Sequence, residues 1–181
     1  HLGPILITMG DKIVDPSVIR SLTQQYEATQ ADLVFTVQPQ SYNVSGGHIV
    51  VDQTNRIRGI CEDLDVKMAQ LFYRFYRQYP LNSGSFASMQ NQLLAAVRNV
   101  ITSERKRIRA ESQVMAIVAE MTAHPDKAKD ILKRKSFLLL GSDLFEPDLV
   151  AQAPYVNAAI YLINQIAFYH ALPALSQDNA A

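Results

Sequence analysis

The chain has 181 residues, 48% hydrophobic and 19% charged, and its 17 Lys/Arg balance its 17 Asp/Glu. That suits one domain, or a domain carrying a large insertion, with enough apolar material for a substantial core. No apolar run approaches the roughly 20 residues of a membrane helix, and the single cysteine, Cys61, excludes an internal disulfide framework and a cysteine-rich zinc site and fits a reducing, cytoplasmic setting.

The opening His1-Leu2-Gly3 has no initiator methionine, and a strand follows almost without lead-in. This reads as a fragment cut within a domain. Ile5–Met9 has the continuous apolar pattern of a strand buried on both faces in a parallel sheet. Asp15 fits a helix N-cap with Pro16 at the first helical position, and Val18, Ile19, Leu22 and Tyr26 recur at helical spacing to about Ala28. Asp32–Gln38 is a second, β-branched strand stopped by Pro39. Strand, helix, strand at this spacing predicts an α/β unit with a right-handed crossover. His48–Val51 and Arg56–Cys61 flank the polar turn Asp52-Gln53-Thr54-Asn55, predicting a hairpin.

Beyond Val66 the pattern turns helical: MAQLFYRFYRQYP, then Ser85 to about Arg109, Glu111–Ala123 and Pro125–Lys135. Strand character returns in VNAAIYLI, followed by a short helix at Gln165–Leu172 and a frayed tail. Charge follows the same division. Residues 1–65 hold four Lys/Arg against eight Asp/Glu, residues 66–135 thirteen against five, and residues 136–181 none against four. The expected organisation is therefore a core at 1–65, a basic helical insertion at 66–153, and a return to the core at 154–181.

In open parallel sheets ligands bind beyond the carboxyl ends of strands. Asp11 stands at such an end behind Gly10, where a lone carboxylate suits Mg²⁺ shared with substrate phosphates; taken alone it reads first as a turn-forming aspartate. Gly46 and Gly47 stand at the mouth of a strand, Glu62 ends the hairpin, and Asn157 opens VNAAIYLI with an amide able to donate and accept. Singly, each is an ordinary turn glycine, surface acid or strand-initiating asparagine.

As an ordered set, ITMGDKIVDP, ADLVFTV, SGGHIVVDQTNRIRGICED and VNAAIYLINQIAFYHALPAL resemble the sugar-phosphate nucleotidyltransferases, particularly the uridyltransferase domain acting on N-acetylglucosamine 1-phosphate. The resemblance covers roughly residues 3–65 and 154–175. It implies a Rossmann-like (GT-A-like), mostly parallel α/β sheet, here interrupted by a long helical insertion. It also implies an enzyme transferring a nucleotidyl group from a nucleoside triphosphate to a sugar 1-phosphate with release of pyrophosphate. Asp11 becomes the catalytic Mg²⁺ ligand. Gly10 allows close approach, Gly47 offers its backbone amide to the sugar, and Glu62 and Asn157 hydrogen-bond sugar hydroxyls or an N-acetyl group.

Four departures bear on that expectation. The family's glycine-rich triphosphate loop, L-A-A-G-x-G-T-[RK]-M, is missing, so this stretch alone is expected to be inactive. Ala159 replaces the glycine of N-x-G, Lys12 follows Asp11 where an apolar residue is usual, and the insertion is far longer than the usual connection. The competing expectation is an inactive nucleotidyltransferase-like binding or regulatory module. A glycosyltransferase with a D-x-D metal motif ranks lower, because Asp63-Leu64-Asp65 follows a hairpin rather than a central strand. The basic insertion reads first as the solvated face of amphipathic helices, and otherwise as a phosphate-attracting cap or a surface for an acidic partner. Its dense aromatics, Phe72 to Tyr79, suit core packing or a homo-oligomer contact. Nucleic acid and membrane are not the expected partners.

Overall fold

The computed structural model describes residues 3–8, 13–42, 46–53, 56–79 and 85–178. They form two compact units, residues 1–38 with 157–181 and residues 39–156.

The first unit carries β1 (Ile5–Thr8), α1 (Pro16–Thr29), most of β2 (Leu33–Pro39), most of β7 (Tyr155–Ile163) and α7 (Gln165–Asp178). Helix α1 starts as its sequence dictates: Asp15 caps it by accepting from the Ser17 backbone N–H at 2.8 Å, and Pro16 occupies the first turn. The Ser17 side chain and backbone hold the Asp15 carboxyl below its ordinary pKa. The helix ends at Gln30, which adopts the left-handed conformation and returns its N–H to the Tyr26 carbonyl. Strand β1 runs antiparallel to β7, with Ile5 opposite Ile163 and Thr8 opposite Ile160.

The second unit contains the hairpin β3 (His48–Val51) and β4 (Ile57–Cys61), paired antiparallel with a register shift between Val50 and Val51. The start of β3 lies antiparallel to Tyr155 and Val156. Then follow α2 (Asp63–Arg77), α3 (Ser85–Val100), α4 (Glu104–Ala123), α5 (Ala128–Ser136), the small hairpin β5 (Leu138–Leu140) and β6 (Asp143–Phe145), and α6 (Pro147–Ala151). Phe72, Leu93, Val97, Val114, Met121 and Leu132 are almost fully buried and join α2 to α5 in one apolar core. A second cluster, Val50, Cys61, Val66, Leu140 and Val150, fastens the β3–β4 hairpin to α2, β5 and α6. There a Cβ on Gly59 would lie 2.7 Å from Leu140 Cδ2, so only glycine admits this approach.

The expected mostly parallel, Rossmann-like sheet is not what forms. The sheet is five-stranded and mainly antiparallel, ordered β1-β7-β3-β4 with β2 also paired to β7. The misreading began at β1. An apolar run is equally compatible with a strand buried on both faces and with one at a sheet's end, and here Leu6 and Ile7 remain 44% and 37% exposed. The helix expected to run from Ser85 to about Arg109 also breaks early. Ile101–Ser103 leave the helix after the β-branched Val100-Ile101-Thr102 run, and Ser103 stands at the N-cap of α4. The β5–β6 hairpin and α6 were not expected at all.

Candidate substrate-binding site

Two of the residues singled out by sequence meet in the second unit. Gly47 is buried immediately before β3, facing the end of β4. A Cβ there would lie 3.1 Å from Ile60 Cγ2, 3.4 Å from the Cys61 carbonyl oxygen and 3.6 Å from Glu62 Oε1. The tight neighbour is the Ile60 side chain, while the Glu62 carboxylate oxygen stands at ordinary van der Waals distance from that position. Glu62 occupies the N-cap position of α2 in an extended conformation, yet its side chain makes no capping hydrogen bond and is exposed. Its carboxylate oxygens are available to accept from an incoming hydroxyl or amide.

Behind this pair lies a buried polar group. His48 is 4% exposed, its Nε2 3.7 Å from Asp63 Oδ1, while Asp63 Oδ2 accepts from Lys67 Nζ at 2.8 Å. His48 Nδ1 is buried without a hydrogen-bond partner among the described residues. His48 has no ligand-like spacing to the other histidines, but Asp63 and Lys67, four apart on one helix, are a legible ion pair. Asp63 is thereby paired with Lys67. Burial, followed by the charges of Asp65 and Glu62, pushes the neighbouring Cys61 thiol from its ordinary 9.0 up to about 11. A neutral, buried thiol of this kind is not a nucleophile.

Asn157 belongs to the first unit. Its Oδ1 accepts from the Ala159 backbone N–H at 2.9 Å, and its Nδ2 donates to the Tyr161 hydroxyl. One amide hydrogen and further lone-pair capacity remain for a ligand. Ala159 has φ +61 and is buried. It occupies the glycine position of the N-x-G pattern, and the backbone there takes the left-handed conformation that glycine adopts without strain. Asn157, two residues earlier, props this kink from its own side chain. On β2, Thr36 Oγ1 is likewise buried without a partner among the described residues.

Gly10 and Asp11 lie outside the described residues. Among the described residues no group of three or more His, Cys, Asp or Glu side chains is arranged to hold a metal ion. No described helix is long and apolar enough to cross a membrane. Comparison with protein-family models, with curated proteins and with solved structures gave no match.

Proposed function

We propose that this chain belongs to a nucleotidyltransferase that joins a nucleoside triphosphate to a sugar 1-phosphate. An oxygen of the sugar phosphate attacks the α-phosphorus and the bond to pyrophosphate breaks, with no covalent enzyme intermediate. The observation that carries this reading is the meeting of Gly47 and Glu62. The resemblance implies a backbone amide and a carboxylate for the sugar, and Gly47 lies beside the Glu62 carboxylate, which makes no capping hydrogen bond and accepts none among the described residues. Glu62 accepts from sugar hydroxyls and fixes the ring, which aligns the 1-phosphate for attack. Gly47 offers its backbone N–H to the sugar. Asp11 would be the residue to hold Mg²⁺, which would supply charge neutralisation between the two phosphate-bearing substrates. The basic residues of α4 and α5 add a positive field that draws both substrates in.

A second reading, a module that binds the same ligand without turnover, is favoured by Ala159. Its buried methyl stands where the pattern has glycine, and the Asn157 carboxamide is partly spent on its own strand.

The test is calorimetric titration of the 181-residue chain with N-acetylglucosamine 1-phosphate, with and without MgCl₂. Binding that strengthens with Mg²⁺ and loses that gain in Asp11→Ala supports the assignment. Absence of binding, or a Mg²⁺ response unchanged in Asp11→Ala, refutes it. Pyrophosphate release from nucleoside triphosphate and sugar 1-phosphate, assayed in any longer protein that contains this chain, separates the two readings.

A further inference from the structure

The helical part of the second unit contains a cavity of about 330 Å³ whose lining residues all fall between Asp65 and Leu138. It shares no residue with the Gly47–Glu62 site. Its size is at the small end of ligand pockets, which span roughly 300–1,000 Å³. The floor is apolar: Met68, Ala69 and Phe72 from α2, Ile117 from α4, and Phe137 and Leu138 after α5. Phe137 is firmly set, because the rings of Tyr73 and Tyr76 meet it edge-on at 5.3 and 5.4 Å. Phe72 and Met68 are nearly closed off by the core, so the half-buried ring of Phe137 is the aromatic surface left to a guest, and it favours a flat aromatic one.

The rim decides the charge of that guest. It carries two acids, Asp65 and Glu120, and two bases, Arg134 and Lys135. Arg134 is consumed by Glu120, donating from Nη2 to both carboxylate oxygens at 2.7 and 2.9 Å. Asp65 and Lys135 form no ion pair among the described residues, and both are exposed at the mouth. An anionic guest would gain Lys135 but face Asp65, and a cationic guest the reverse. Only a guest carrying both signs satisfies both.

We infer that this pocket is a binding site for a small zwitterion with an aromatic body, the chemistry of a free aromatic α-amino acid. The ammonium meets Asp65, the carboxylate meets Lys135, and the ring lies on Phe137. The inference is independent of the nucleotidyl-transfer reading, and it gives the helical stretch a ligand of its own.

The chain contains no tryptophan, so the fluorescence of added L-tryptophan, excited at the red edge of indole absorption, reports binding without protein background. The expected result is a saturable blue shift at sub-millimolar L-tryptophan. Tryptamine and indole-3-propionate, each with one charge, bind more weakly. Asp65→Asn and Lys135→Gln each weaken L-tryptophan by about tenfold or more, the scale of one lost charged hydrogen bond, and leave neutral indole unaffected. Ala116→Phe abolishes the shift, because Ala116 lines the pocket from an exposed position of α4 and a ring there fills the mouth without disturbing the core. An unchanged urea midpoint shows that this variant is folded. No shift at millimolar L-tryptophan, a shift that survives Ala116→Phe, or equal binding of the singly charged analogues overturns the inference.

Discussion

Replacing Ala159 by glycine tests the local backbone on which the N-x-G reading depends. In an ordinary extended strand position, Ala→Gly is costly twice: the unfolded chain gains about 0.5–1 kcal/mol of freedom, and burial of a methyl, about 0.8 kcal/mol, is lost. Ala158, half-buried and not left-handed, should therefore lose about 1–1.5 kcal/mol on change to glycine. Ala159 meets the same two costs, but at φ +61 it also carries the left-handed penalty of an L residue, about 1–2 kcal/mol, which glycine removes. The terms nearly cancel, so Ala159→Gly is expected within about 0.5 kcal/mol of the parent. Urea unfolding followed by far-ultraviolet circular dichroism, with equal m-values for all variants, measures both. A loss at Ala159 as large as that at Ala158 would mean an extended backbone at residue 159 and would remove the structural case for the motif.

Further outcomes follow from the packing and the titrating groups. Gly59→Ala drives a methyl into Leu140 and is expected to cost about 1–3 kcal/mol by overpacking; a neutral result in the same urea titration would show that β4 and β5 do not touch. Leu132→Ala empties a fully buried site between α2, α4 and α5, with an expected loss of about 2–5 kcal/mol in chemical unfolding; a loss below about 1 kcal/mol would contradict a tight core there. Because burial raises the folded Cys61 pKa above its unfolded value, its stability contribution is complete below pH 9 and is lost as pH rises toward about 11. Cys61→Ala should flatten that alkaline decline, and native Cys61 should resist alkylation at pH 8 until denaturant is added. Rapid alkylation of the native chain would refute the burial.

How much of this was legible in the sequence depended on whether the signal was local. The Asp15-Pro16 start of α1 and the strands flanking Asp52 and Arg56 are written in adjacent residues; the helix starts where expected, and β3 and β4 pair as a hairpin. The β5–β6 hairpin had a local signal that was passed over: LLL and DLF flank Gly141-Ser142, and Gly141 takes φ +62 as a two-residue turn requires. Sheet direction has no such local mark. Ile5-Leu6-Ile7 is apolar whichever neighbour it pairs with, and only its partner β7, more than 150 residues away, makes it antiparallel. The site divides the same way. Gly47 and Glu62 stood out because glycine at a strand mouth and an acid at a strand end are visible patterns. The burial of His48 on β3, its Nδ1 without a partner among the described residues, and the pocket lined by Phe72, Ile117 and Phe137 arise from elements that meet only after folding.

The proposed chemistry rests most directly on Glu62 gripping a sugar. The decisive measurement is the affinity of Glu62→Gln for N-acetylglucosamine 1-phosphate, set beside that of the parent chain. Glutamine keeps the size and removes the charge, so the loss of a charge-assisted hydrogen bond should weaken binding about tenfold or more while the urea midpoint stays put. Equal affinity in parent and variant would show that the carboxylate beside Gly47 does not hold the sugar.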